Sequence, residues 1–200
     1  MVIDTITMEE RKLLAVVFSK SLFLDPMYNQ IFPEEEENLY YFTRFWEQMI
    51  DYTYKYGYVM STDKKTSVLC LLPPSRTDFS LSLLWGTRFG IPLSVMRFPF
   101  AKIIMTFSIL FSMGAIQSRL IPEPHWYLMS LGVLPEEQGK GKGKKLLTEM
   151  LEIVTRDSRP VYLETETEKN VSIYEKYGFR VERETTLKRH NLHYYLMIKR

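Results

Sequence analysis

Apolar residues at helical spacing dominate the first quarter of the chain. Leu13, Leu14, Val17, Phe18 and Leu22 lie on one face of a helix that starts at Met8. Thr7 caps it, with Glu10 three residues on as in a capping box, and Asp25-Pro26 breaks it. Ahead of it, residues 2–7 read as a short strand. Four acids, Glu34 to Glu37, open a second helix where the macrodipole favours negative charge. Leu39, Phe42, Trp46, Met49 and Ile50 line one side of that helix. Residues 57–60 and 67–72 then read as two strands of a hairpin around a polar Asp63-Lys64-Lys65 turn, ended by Pro73-Pro74. Residues 78–119 form a long helical insertion, followed by a strand over 125–133.

A helix carrying Leu146, Leu147, Met150, Leu151 and Val154 follows, and Pro160 closes that unit. Residues 161–166 read as a strand and 171–176 as a short helix, with Gly178 as its left-handed cap. Residues 180–186 and 193–198 form a closing antiparallel pair. The pattern predicts an α+β architecture (three layers, in the α/β sense) with a mixed, mostly antiparallel sheet flanked by helices. It is organised as a single domain over 1–200, with N-terminal helices in 1–56 and no internal repeat.

Two hundred residues suffice for one substantial core. The 26 basic residues meet 24 acidic ones, so overall charge gives no case for a nucleic-acid partner. Cys70 is the only cysteine, which excludes a disulfide framework and a cysteine-based metal site. It sits in an apolar run and reads as a small buried residue. No signal peptide is evident, so the cytoplasm is the expected compartment. Residues 91–116 look superficially like a membrane span. Arg97 and Lys102 interrupt them, and the uncharged remainder is shorter than the ~20 residues a spanning helix needs. A buried or cleft-lining helix is expected there, and no membrane partner.

Candidate chemistry concentrates in Gln138-Gly139-Lys140-Gly141-Lys142-Gly143, between a predicted strand and a predicted helix. A glycine-rich turn there presents bare N–H groups at a helix N-terminus, a ready anion site. Lys140, Lys142, Lys144 and Lys145 add positive charge, so a phosphate-bearing ligand is expected. A Walker A loop would follow Gly143-Lys144 with a hydroxyl residue, whereas Lys145 and Leu146 stand there. A dinucleotide fingerprint needs G-x-G-x-x-G, and this turn runs G-x-G-x-G. Nucleotide hydrolysis and hydride transfer are therefore disfavoured.

The spacing of Gln138, Gly141 and Gly143 matches Q/R-x-x-G-x-G/A. With the strand Tyr127-Leu128-Met129-Ser130-Leu131-Gly132-Val133 before it and Asn170-Val171-Ser172-Ile173-Tyr174-Glu175-Lys176-Tyr177-Gly178-Phe179 after it, the chain resembles the GNAT superfamily of acetyl-CoA-dependent N-acetyltransferases. The resemblance runs from Gly57 to the C-terminus and is strongest over 125–179, the expected acetyl-CoA-binding core. His125-Trp126-Tyr127-Leu128 and Tyr162-Leu163-Glu164-Thr165 are closest in style to the puromycin acetyltransferase-like subgroup.

The resemblance implies direct transfer of an acetyl group from acetyl-CoA to the primary amine of a small molecule, with no metal. The N–H groups of Gln138, Gly139, Lys140, Gly141, Lys142 and Gly143, with Lys144 beside them, would bind the coenzyme pyrophosphate. Leu131, Gly132 and Val133 would hold the pantetheine arm in a gap between two splayed strands. Tyr174 matches the position that protonates the departing thiolate. Asn170 matches one that bonds the pantetheine arm or a nearby loop, and reads equally as a helix cap. For the base, Glu164 stands beside His125 and a water chain as alternatives. Glu166 and Glu168 read as solvated strand-end charges. Phe79, Leu83, Trp85, Phe89, Met96 and Phe100 are candidates for the acceptor pocket, and the aromatic N-terminal half favours an apolar or aromatic amine. The rival reading is a non-catalytic acetyl-CoA-binding or sensor protein of the same fold. Many relatives dimerise, so a homodimer is compatible with the resemblance.

Overall fold

The structure, a computed structural model, describes residues 5–32, 36–62, 64–77 and 100–200. Thr7 Oγ1 accepts the N–H of Glu10 at 3.1 Å while the Glu10 carboxylate accepts the N–H of Thr7 at 3.0 Å. This reciprocal capping box starts α1 (Met8–Leu22). Asp25-Pro26 ends that helix and begins the next. Asp25 caps α2 (Pro26–Ile31) by accepting the N–H of Met27 at 3.2 Å, and Pro26 fills the first turn, where no N–H is needed. α3 is Glu36–Tyr56. Of the strand expected over 2–7, residues 5–7 are not strand, and the rest lie outside the described residues.

Among the described residues six strands follow: β1 (Tyr58–Ser61), β2 (Ser67–Leu72), β3 (Trp126–Val133), β4 (Val161–Thr165), β5 (Arg180–Leu187) and β6 (Leu192–Lys199). They lie in the order β1-β2-β3-β4-β6-β5, antiparallel except for β3 beside β4. A parallel neighbour needs a crossover, supplied by α5 (Lys142–Val154). Preceding β3 is α4 (Phe100–Leu120), and α6 (Glu168–Glu175) lies between β4 and β5. The expected helix at 171–176 begins earlier because Thr167, not Asn170, is its cap: Thr167 Oγ1 accepts the N–H of Asn170. Gly178 does take a left-handed conformation, φ +84°, two residues beyond the cap. Of the expected insertion, residues 78–99 lie outside the described residues, as do Phe79, Leu83, Trp85, Phe89 and Met96 and the side chain of Phe100. No helix among the described residues is long and apolar enough to cross a membrane.

Helices cover both faces of the sheet and leave the edge strand β5 largely exposed. On one side α1, α3 and α4 contribute Leu14, Phe18, Phe42, Trp46 and Ile109 to a core in which Phe18 stacks on Trp46 at 4.2 Å. On the other, Leu146, Leu147, Met150 and Val154 of α5 pack on Leu69, Leu128 and Leu163. Both cores follow the apolar stripes in the sequence except at Leu13, which lies at the edge of the α1 stripe and is exposed, and Cys70 is buried among them. Gly132 brings α1 against β3. A Cβ there would stand 2.4 Å from Ser21 Oγ and 2.9 Å from Phe18 Cδ1.

Candidate active site

Two features of β3 prepare the site. Cys70 stands opposite Ser130 but Leu71 opposite Leu128, so Met129 is the extra residue of a bulge that bends the strand. Pairing with β4 is confined to Trp126↔Val161 and Tyr127↔Tyr162, after which the strands diverge. Beyond the bulge, Leu134 donates its N–H to the carbonyl of Thr66 at 3.0 Å. Antiparallel bonding alternates, so Gly132 faces β2 while Leu131 and Val133 turn their backbone N–H and C=O toward the gap. Gln138 donates to the Val133 carbonyl at 3.2 Å, tying the glycine turn to the end of the strand.

In that turn Gly139 and Gly141 have φ of +74° and +78°, the left-handed region that favours glycine. Nothing lies within 4 Å of where a Cβ would stand on either, so the space in front of the turn is open. Gly141 is the N-cap of α5 and has no side chain to cap it, and the first helical bond runs from Lys145 N–H to its carbonyl. The amides of Lys142, Gly143 and Lys144 are therefore left to point outward at the positive end of the dipole. This cradle fits a pyrophosphate. The lysines are less free than the sequence suggests. Lys142 Nζ lies 2.7 Å from Glu137 and bonds Thr66, and Lys140 lies 3.3 Å from the same carboxylate. Backbone and dipole carry more of the anion site than side-chain charge does.

Behind the splay lies a cavity of about 130 Å3 between α2, α3 and α4 and the ends of β3, β4 and β6. Glu164 and Tyr174 both line it. Glu164 Oε1 accepts the Tyr127 hydroxyl at 2.6 Å, while Oε2 is buried without a partner. The residue is half-buried by area because its open side faces the cavity, and protein encloses the rest. Burial lifts its carboxyl to about 7; the Tyr127 hydroxyl, and that of Tyr162 nearby, pull the other way. A carboxylate poised near neutrality is what proton removal at physiological pH requires. Burial holds the Tyr174 phenol well above its ordinary range, with the Glu166 charge adding to the effect, so it keeps its proton. Asn170 also lines the cavity and donates to Thr165 Oγ1 at 3.0 Å, which orients its carboxamide from the third helical position instead of capping.

His125 is held for structure. Its Nδ1 lies 2.8 Å from the Glu123 carbonyl, which can only accept, so Nδ1 carries the proton. Its Nε2 lies 2.9 Å from the Gln117 amide nitrogen, which donates into the remaining lone pair. With both ring nitrogens engaged and the residue 5% exposed, it has no free base to offer.

Glu166 is not a solvated strand-end charge. It lines the cavity within hydrogen-bonding reach of the Asp25 carboxyl, and burial beside that neighbour raises it far above the ordinary carboxylate range. Asp25 is raised too, chiefly by burial. Glu168, by contrast, is exposed and accepts from Tyr195 at 3.4 Å. Asp25 showed in the sequence only as a helix break, and its pairing with a residue 141 positions away left no local signal. No group of three or more His, Cys, Asp or Glu among the described residues is arranged to hold a metal ion.

Residues 112–179 match the model of the acetyltransferase (GNAT) family. An uncharacterised N-acetyltransferase of Schizosaccharomyces pombe is 39% identical over 66 residues, which are 33% of this chain and 27% of that relative. Among solved structures, a Corynebacterium glutamicum protein described as histone acetyltransferase HPA2 and related acetyltransferase superposes with a TM-score of 0.65 at 18% identity, covering 100% of this chain and 94% of that one. Arylalkylamine N-acetyltransferase 2 of Aedes aegypti gives 0.64 at 15%, covering 98% and 96%. The fold is that of the GNAT acetyltransferases, and the segment matching the family model runs from α4 through the strand splay and glycine turn to Phe179.

Proposed function

We infer that this protein transfers the acetyl group of acetyl-CoA to a primary amine of a small molecule, by direct attack with both substrates bound. The observation that carries the reading is the convergence of Glu164 and Tyr174 on one cavity behind the β3–β4 splay, with the glycine turn following β3 in the chain. The amides from Gln138 to Lys144 hold the pyrophosphate, and the backbone of Leu131 and Val133 receives the pantetheine arm. An N–H in that gap polarises the thioester carbonyl as charge gathers on its oxygen. Glu164 removes a proton from the incoming ammonium, directly or through one water. The freed nitrogen forms the C–N bond as the C–S bond breaks, and Tyr174 gives its proton to the departing sulfur. The second proton shed by nitrogen restores Tyr174. Most of the acceleration comes from holding the two reactants together, because no side chain need bond covalently to the acetyl group.

A cavity of this size favours a small acceptor over a protein tail, and the likeness of 125–128 and 162–165 to the puromycin acetyltransferase-like subgroup agrees with that. Calorimetric titration of acetyl-CoA into the wild type and a Gly141→Asp variant tests the reading, followed by thiol release with a panel of amines. Binding that the variant loses, with amine-dependent release, supports it. Binding without turnover on any amine would leave the non-catalytic alternative, and no binding by the folded wild type would overturn both.

A further inference from the structure

The cavity carries more acid than acetyl transfer requires. Asp25 reaches it from the α1–α2 junction and Glu166 from the end of β4, in addition to Glu164, and no Lys, Arg or His among its described lining residues offsets them. The Tyr194 hydroxyl from β6 completes this corner. Tyr194 is 1% exposed and lines the cavity, yet its hydroxyl has no hydrogen-bond partner among the described residues. A buried phenol left unsatisfied beside buried carboxyl groups is costly unless a ligand supplies the missing contact. An ammonium group supplies it, donating to the phenol oxygen and, in place of the proton that the Asp25–Glu166 pair holds and that leaves to solvent, to a carboxylate oxygen of each.

We propose that Asp25, Glu166 and Tyr194 form a second cation subsite in the acceptor pocket, and that the preferred acceptor is a small diamine, acetylated at Glu164 and anchored here by its other ammonium. This deepens the acetyl-transfer reading and rests on it. Glu166 stands two residues past Glu164, just beyond the end of β4, so their Cα atoms are at most about 7 Å apart. An alkyl spacer of roughly four or five carbons bridges that distance. The aromatic walls, including Tyr28 and Trp46, pack the spacer, so the apolar character expected from the sequence describes the stem of the acceptor and not both its ends.

The test uses the full chain with acetyl-CoA, comparing 1,4-diaminobutane and 1,5-diaminopentane with n-butylamine and 2-phenylethylamine. The diamines are also titrated calorimetrically without coenzyme. A charge-assisted contact predicts a kcat/KM preference for diamine over n-butylamine of about tenfold or more. Glu166→Gln and Asp25→Asn should collapse that ratio toward one, mainly through KM. Asn is as good an N-cap as Asp, so the second variant preserves the start of α2 if the first fails to fold. Equal use of diamine and monoamine by the wild type, or a preference that survives both substitutions, overturns the subsite while acetyl transfer stands. If no amine supports thiol release, acetyl transfer itself fails. Diamine binding that both variants weaken would then still support the cation subsite, and its absence would overturn that too.

Discussion

Replacing Glu164 with Gln separates the cost of a buried carboxylate from its use. The folded protein holds this proton up to about pH 7, whereas the ordinary value is 4.5. Between those values the native state binds more protons than the unfolded one, so this residue's contribution to stability falls as pH rises. It is least unfavourable below 4.5 and reaches its full penalty above 7. The interval corresponds to about 3.4 kcal/mol at pH 8 and just under about 1 kcal/mol at pH 5. Gln has no such dependence. Its carbonyl oxygen keeps the Tyr127 hydrogen bond, and its unpartnered NH2 group replaces the unpartnered Oε2 at a cost that does not vary with pH. The stability of Glu164→Gln relative to wild type should therefore improve by about 2.5 kcal/mol from pH 5 to pH 8. For a chain of this size that is roughly 5–10 °C in Tm. Thermal and urea melts of both proteins at pH 5, 6, 7 and 8 measure it. The wild-type kcat/KM should rise with pH through about 7, and the variant should lose about 10²–10⁴-fold. Stability curves that run parallel across this range would refute the burial argument for Glu164.

Tyr174→Phe should lower kcat by about 10²-fold or more with little change in KM, read by thiol release. An unchanged kcat would remove the acid from the proposal. Gly141→Ala should cost roughly 1 kcal/mol of stability, from left-handed strain, and weaken acetyl-CoA binding in calorimetry. Gly143→Ala should fold normally, since its nearest neighbour would be Val133 Cγ2 at 3.5 Å, an ordinary contact. Gly132→Ala should destabilise by about 1–3 kcal/mol in urea melts, because Phe18 and Ser21 must yield for the methyl group.

What the sequence disclosed was local in its physics. The Thr7–Glu10 box, the strand–glycine–helix turn and the stripe of α5 each lie within a few residues, and each stands where it was read. In the sequence Asp25-Pro26 reads as punctuation, although an acid followed by proline is also a helix start. Asn170 is a preferred cap by residue type, but Thr167 supplies the capping hydroxyl three residues earlier. The fate of the ionisable groups was not local. His125 lost its candidacy to Gln117, delivered by a different helix. Glu166 changed from a solvated charge to a buried partner because α2 folds Asp25 over the end of β4. Periodicity records which face of an element is apolar, but not which two polar groups from distant segments will be buried together.

The narrow junction between β3 and β4 gives the molecule a mechanical seam. Every other ladder in the sheet has four or more registered pairs, whereas this one has two. The sheet is thus two three-stranded plates joined at one corner, with strand edges facing each other across the opening. Amides along those edges should exchange with solvent faster than those within either plate. A strand-like ligand carrying amides of its own would splint the plates, adding about 2.7 kcal/mol to global stability at a hundred times its Kd. Resistance to proteolysis would then follow the supply of that ligand, so starvation for it would shorten the life of the chain as well as idle it.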